Sequence, residues 1–254
     1  MDGPNGEQAE TSGRVRPVAL ITGASRGLGL ALGRALAHRR WALVIDARGR
    51  ANLELVLTEL GAATEVRAIP GDVSDEQHRD DLLRAAEELG RLDLLVNNAS
   101  TLGLSPLPTL DRYPLEEIAR VYRVNALAPL GLFQRALPLL RSSAGRVVNV
   151  TSDAAIEGYP GWGGYGSSKA ALEQLSNVLA SEHPELKIYW VDPGDMNTQM
   201  QQEAFPGEDI SDRPPPEASV PGILRLIDED LPSGRYRARD LVSPVVREKA
   251  GSAA

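Results

Sequence analysis

The chain has 254 residues, a formal net charge of −8, 42% apolar and 24% charged residues, and no cysteine. This composition supports a sizeable core and excludes disulfides and thiol catalysis. Without a basic stripe interleaved with aromatics, nucleic-acid binding has no support, and without an apolar run near about 18 residues no membrane span is expected. His38, His78 and His183 fall on separate predicted helices, where surface positions are expected; they form no metal-ligand spacing. The opening MDGPNGEQAETSGR is polar and lacks the apolar stretch of a signal peptide, so residues 1–14 read as a disordered tail and the cytoplasm as the expected compartment.

In chain order, PVALIT (17–22) reads as a buried strand that runs straight into GASRGLG and an apolar-periodic helix, Leu28 to Arg40. Strand, glycine-rich turn and helix make a phosphate site: glycines let the backbone approach closely, and the helix N-terminus offers free N–H groups and partial positive charge. The spacing Gly23-x-x-x-Gly27-x-Gly29 is longer than G-x-G-x-x-G, and helix packing is the competing explanation for the three glycines. WALVID (41–46) is a second strand, Ala51 to Leu60 a helix, and EVRAIP (65–70) a third strand followed by Gly71-Asp72-Val73. Ser74-Asp75-Glu76-Gln77 reads as a capping box opening a helix to Leu89. LDLLVNNAS (92–100) is a fourth strand, residues 101–113 a loop, and Pro114 to Leu140 one long helix. GRVVNVTS is the fifth strand, Gly164 to Glu182 a helix, and KIYWVDPG (187–194) the sixth strand. Residues 218–228 read as a helix, 234–240 as a weak last strand, and 245–254 as a tail.

Alternating strands and helices predict an α/β fold, a doubly wound parallel sheet with helices on both faces, in one domain spanning 15–244. Ligands of such sheets bind beyond the carboxyl ends of the strands. Gly23, Asp72, Asn98, Ser152 and Pro193 all stand at such ends, and packing does not explain that convergence. Tyr165 and Lys169 lie one helical turn apart on one face, close to Ser152. A phenol titrates near 10 and is a poor acid or base at neutral pH unless its anion is stabilised. A Lys charge about 4 Å away, at an effective dielectric of about 20, offers at most roughly 4 kcal/mol toward that. A Tyr and a Lys at this spacing also occur by chance, so the pair gains meaning only beside the glycine turn.

Taken together, these motifs resemble the short-chain dehydrogenase/reductase family. The matching positions are Thr22 to Gly29, Asp72-Val73, Asn97-Asn98-Ala99, Asn125, Ser152 with Tyr165 thirteen residues on, Lys169, and Pro193-Gly194 with Thr198 behind them. Ser100 stands where the family commonly has glycine, a departure with no expected effect on chemistry. The resemblance implies hydride transfer between a nicotinamide and a carbonyl or alcohol carbon. It implies Tyr165 as acid/base, Lys169 as the group that lowers the Tyr165 pKa and bonds the nicotinamide ribose, and Ser152 as the residue that positions the substrate oxygen. Asn125 would hold a water linking Lys169 to solvent. It assigns cofactor contacts to Gly23, Ser25, Arg26, Gly27, Leu28, Gly29, Arg48, Asp72, Val73, Asn98, Ala99, Pro193, Gly194, Met196 and Thr198, beside Tyr165 and Lys169. Asp72 also reads as a plain turn residue.

The family's NAD-selecting acid aligns with Ala47. Asp46, one residue earlier, points to the opposite face of the strand, while Arg48 and Arg26 flank the place of an adenosine phosphate. NADP is therefore expected over NAD. Residues 199–218 are acidic and proline-rich, either a substrate lid or a surface loop, and Met196, Met200, Phe205 and Trp162 are candidates for an apolar pocket. A cofactor-binding sensor without turnover is the alternative to an NADPH-dependent carbonyl reductase. A homodimer or homotetramer is expected through the 164–182 helix and the 114–140 helix, whose apolar stripe includes Val121, Leu132 and Ala136. Pro129 has no N–H for the Asn125 carbonyl, which predicts a local bend there.

Overall fold

The computed structural model describes residues 16–242; the tails expected at 1–14 and 245–254 lie outside the described residues. Seven strands form one parallel sheet in the order β3-β2-β1-β4-β5-β6-β7. They are β1 (Val18–Ile21), β2 (Ala42–Ala47), β3 (Val66–Pro70), β4 (Leu94–Asn97), β5 (Arg146–Val150), β6 (Lys187–Asp192) and β7 (Gly234–Arg237). The order reverses between β1 and β4, which opens a crevice at the carboxyl end of the sheet.

Strand alternation divides the core in two. Ala19 and Ile21 of β1 and Leu43 and Ile45 of β2 pack with α1 (Gly27–His38), α2 (Arg50–Gly61) and α8 (Val220–Asp228). Val18, Leu20, Ala42 and Val44 pack on the other face with α3 (Glu76–Glu88) and α5 (Ala128–Ser142). The remaining helices are α4 (Leu115–Tyr122), α6 (Gly163–Glu182), α7 (Gln199–Ala204) and α9 (Ala238–Leu241). None of the described helices is long and apolar enough to cross a membrane.

Several expectations need correction. The helix expected from Pro114 to Leu140 is interrupted by a π turn at Arg123–Leu127, in which Ala128 N–H donates to the Arg123 carbonyl five residues back. Pro129, lacking an N–H, sits just after that turn, and a π turn is one way to absorb a missing ladder bond. Val121, Leu132 and Ala136 are buried inside the chain's own core, so that stripe is not free for a partner. The cap of α3 is Asp75 rather than Ser74: its carboxylate accepts the Gln77 N–H at 2.9 Å, and Ser74 instead donates to Asp72. β4 stops at Asn97, so Asn98 and Ala99 leave the strand.

Candidate active site

All the residues assigned above to the site line one cleft of about 940 Å³ at the carboxyl ends of the strands, except Gly29 and Asn125, which support it from behind. At one end lies the glycine turn. Gly23 has φ +67° and Gly27 φ +55°, conformations that glycine adopts without steric cost. A Cβ on Gly29 would stand 2.5 Å from both Asn98 Nδ2 and the Gly23 carbonyl, and one on Gly23 2.9 Å from Ala99 Cα. The glycines are therefore set by close approach. The α1 cap, Arg26, makes no side-chain capping bond, which leaves the first N–H groups of the helix to a ligand.

The turn is braced from three sides. Asn98 Nδ2 donates to the carbonyls of Thr22 (2.8 Å) and Gly23 (3.1 Å), so its side chain shapes the turn. Thr22 Oγ1 accepts the N–H groups of Asn98 and Ala99, both at 3.0 Å. Asp46 faces the α3 side of the sheet, as alternation requires, and its carboxylate accepts the Gly23 N–H at 2.6 Å. Its other oxygen lies 3.0 Å from His78 Nε2. His78 is 6% exposed, which corrects the surface position expected for it, and a Cβ on Gly71 would stand 2.2 Å from its Nδ1. Burial pushes the Asp46 carboxyl up, while the bonds from His78 and Gly23 pull it back down. A single His in an amphipathic helix carries no local sign of an acid 32 positions earlier, so sequence reasoning missed this pair.

Arg26 and Arg48 both line the cleft. The Arg26 guanidinium is bonded to Gln199 of α7. Arg48 lies close enough to Asp72 that its charge, with bonds from Ser74, helps hold that carboxyl below its usual range against the cost of burial. Thr198 caps α7, and its methyl would sit 3.6 Å from a Cβ on Gly27, so the start of residues 199–218 lies over the turn.

In the middle of the cleft stand Ser152, Tyr165 and Lys169. Tyr165 is 8% exposed and Lys169 1%; the ammonium lies 5.6 Å from the phenol's ring centroid and donates to the Val150 carbonyl at 2.8 Å. Burial pushes the Tyr165 phenol well above its ordinary value, against bonds from the Ser152 and Ser100 hydroxyls. Burial also pulls the Lys169 ammonium down to about 7. Both shifts come from burial, which disfavours the charged form of each group.

Asn125 is fully buried and ties the loop after β4 to α6. Its Oδ1 accepts from Thr101 N (2.9 Å) and Ser100 Oγ (3.1 Å), and its Nδ2 donates to Thr101 O and Ser168 Oγ, both at 2.9 Å. Ser100 thus touches both Asn125 and the phenol, a role that its place as a stand-in for glycine did not suggest. Ser152 is held from behind by residues that no motif marks. Arg235 Nη2 donates to the Ser152 carbonyl at 3.2 Å and Nε to Glu173 at 2.9 Å, and Glu173 accepts from Thr151 at 2.8 Å.

The short chain dehydrogenase family profile matches residues 17–209. The chain is 33% identical to the sepiapterin reductase of Bos taurus over 78% of this chain and 80% of that protein. It is 32% identical to the rhamnolipids biosynthesis 3-oxoacyl-[acyl-carrier-protein] reductase of Pseudomonas aeruginosa, over 93% and 90%. The alcohol dehydrogenase of Thermococcus sibiricus, solved with 5-hydroxy-NADP, superposes with a TM-score of 0.79 at 28% identity, covering 87% of this chain and 95% of that one. A glycine turn shaped for a dinucleotide, a phenol–ammonium pair in the same cleft and a profile match over most of its length make this chain a member of the short-chain dehydrogenase family, an NAD(P)-dependent oxidoreductase.

Proposed function

We propose that the chain reduces a ketone or aldehyde with NADPH, with Tyr165 as the proton donor. The observation that carries this reading is the buried Tyr165, with Lys169 5.6 Å from its ring, in the same cleft as Ser152 and the glycine turn. A reduction needs a donor for the oxygen that becomes a hydroxyl, and a phenol that keeps its proton meets that need. The cofactor supplies a hydride to the carbonyl carbon. Ser152 holds the carbonyl oxygen near the phenol. Lys169, buried between α6 and β5, stabilises the phenolate left after proton transfer as a hydrogen-bond donor and reaches the ribose. Asn125 fixes the loop at Ser100 and Thr101 against α6 and leads the returning proton toward Lys169.

The glycine turn from Gly23 to Gly29, with Ser25, Arg26 and Leu28, takes the pyrophosphate; Asp72 and Val73 take the adenine; and Asn98, Ala99, Pro193, Gly194, Met196 and Thr198 close around the rest. Arg48 meets the adenosine phosphate of NADP. The engagement of both Asp46 carboxylate oxygens, one by Gly23 and one by His78, supports NADP over NAD, because that carboxylate is already bonded within the chain. The NADP-type ligand of the Thermococcus sibiricus relative supports the same choice, and the named reductases among the relatives support reduction as the direction. Residues 199–218 act as a substrate lid, the site of action is the cytoplasm, and the assembly is a homodimer or homotetramer. Exposed Leu115, Leu127 and Val178 on α4, the π turn and α6 support the last point.

The test is consumption of NADPH and of NADH, followed by absorbance, with a panel of aldehydes, ketones and diketones. Turnover with NADPH ahead of NADH is expected. Tight NADPH binding without turnover on any carbonyl would favour a sensor instead.

A further inference from the structure

Resting on that reading, we propose that the substrate end of the cleft selects an aromatic carbonyl compound without negative charge, and accepts one bearing a positive charge. The walls here are rings and apolar side chains. Trp162 stands edge-on to Tyr165, with centroids 5.7 Å apart at 73°, and 5.9 Å from Phe205. Leu102 and Met200 also line this end. Rings at these separations and tilts offer both faces and edges, which a flat ring matches better than a saturated one. Phe205 is itself held by the Arg213 guanidinium, 4.4 Å from its centroid; Arg213 does not line the cleft.

Charge completes the selection. Among the described residues, the Lys and Arg side chains lining the cleft are Arg26 and Arg48 at the glycine-turn end and Lys169, buried against Tyr165. The substrate end instead presents Asp153 and Asp195. Asp153 is fixed beside the reacting centre: its Oδ1 accepts from Ser152 Oγ at 2.9 Å and Ala154 N at 2.8 Å, and its Oδ2 accepts the Tyr159 hydroxyl at 3.1 Å. Asp195 is exposed at the mouth, where Gln201 Nε2 donates to it at 3.1 Å. A carboxylate or phosphate on the substrate would meet two carboxylates at this end, while of the cations lining the cleft Lys169 is already engaged by the Val150 carbonyl and Arg26 by Gln199. A neutral ring meets apolar surface, and an ammonium meets opposite charge.

The test uses a matched set: an aryl methyl ketone, its para-carboxylate, its para-aminomethyl derivative and the cyclohexyl methyl ketone of the same size. With saturating NADPH near neutral pH, kcat/KM for the parent and the ammonium compound should exceed that for the carboxylate at least about tenfold, and the cyclohexyl compound should fall below the aryl parent. Asp153→Asn should narrow the gap by improving the carboxylate. Asp195→Asn, which leaves the Ser152 contact in place, should narrow it less. Quenching of tryptophan fluorescence by the same compounds, with Trp162→Phe to identify the ring, reads binding without turnover. The same order in binding with no reduction would sink the reductase reading and leave the charge selection standing. The selection itself is overturned if the carboxylate is used or bound as well as the parent, if the cyclohexyl ketone equals the aryl one, or if neither aspartate variant narrows the gap.

Discussion

At the glycine-turn end of the cleft much of the surface offered to a ligand is backbone, braced by side chains: half-buried Asn98 on two carbonyls, and buried Thr22 on two N–H groups, Asp46 on Gly23, and His78 on Asp46. At the other end the surface is side chains, carried on the connections that follow β4, β5 and β6. There Trp162, Phe205, Met200 and Asp153 face the cleft. A backbone surface is altered only by something that moves the chain, such as an added Cβ. A side-chain surface changes with every substitution. The first construction suits a ligand shared across a family, and the second a substrate peculiar to one member.

At the glycine-turn end the largest loss of cofactor affinity is expected at Gly29. Gly29→Ala places a methyl 2.5 Å from Asn98 Nδ2 and the Gly23 carbonyl, and overpacking of about 1–3 kcal/mol corresponds to roughly a ten- to hundredfold loss of NADPH affinity by titration. Arg48→Ala tests the one side chain at that end assigned to the adenosine phosphate. It should weaken NADPH about tenfold and NADH less than about twofold, since a charge-assisted bond is lost from one of them only; equal effects would count against NADP.

His78→Leu leaves Asp46 buried with Gly23 as its remaining partner, at a cost on the order of 1–3 kcal/mol. Its sign with pH follows from burial, which raises the folded Asp46 pKa above its ordinary value. The charged form is the one disfavoured in the fold, so the cost is full above the folded pKa and fades as pH falls through it. Thermal unfolding should therefore show a larger loss of Tm at pH 7 than at mildly acid pH, with NADPH affinity down about fivefold at neutral pH. A pH-independent loss would make His78 a packing residue and nothing more.

The smallest effect is expected at Ser100. Ser100→Ala removes one of two hydroxyls that favour the Tyr165 phenolate. The kcat should fall about threefold, an ordinary hydrogen bond's worth, with cofactor affinity unchanged. A change in cofactor affinity instead would move Ser100 to the other end of the comparison.

These features were unevenly legible in the sequence. Strand–helix alternation, the glycine turn and the phenol–ammonium spacing are local or periodic, so the fold and the residues gathered in the cleft were readable. The inward direction of Asp46 followed from strand alternation alone. Its partner His78 did not, because a contact between β2 and α3 has no signature within either element. Pro129 announced an interrupted helix, but not that a π turn would absorb the defect. The stripe of Val121, Leu132 and Ala136 looked like a partner surface because periodicity marks an apolar face without saying what covers it.

Cofactor binding and proton donation are separable within this one cleft. Tyr165→Phe tests this separation most directly, because it removes a single oxygen. Paired measurement of NADPH affinity and of kcat on one accepted carbonyl substrate should give affinity within about threefold of the parent and kcat lower by roughly a hundred- to ten-thousandfold. A variant that keeps most of its turnover, or that loses NADPH binding along with it, would contradict the account.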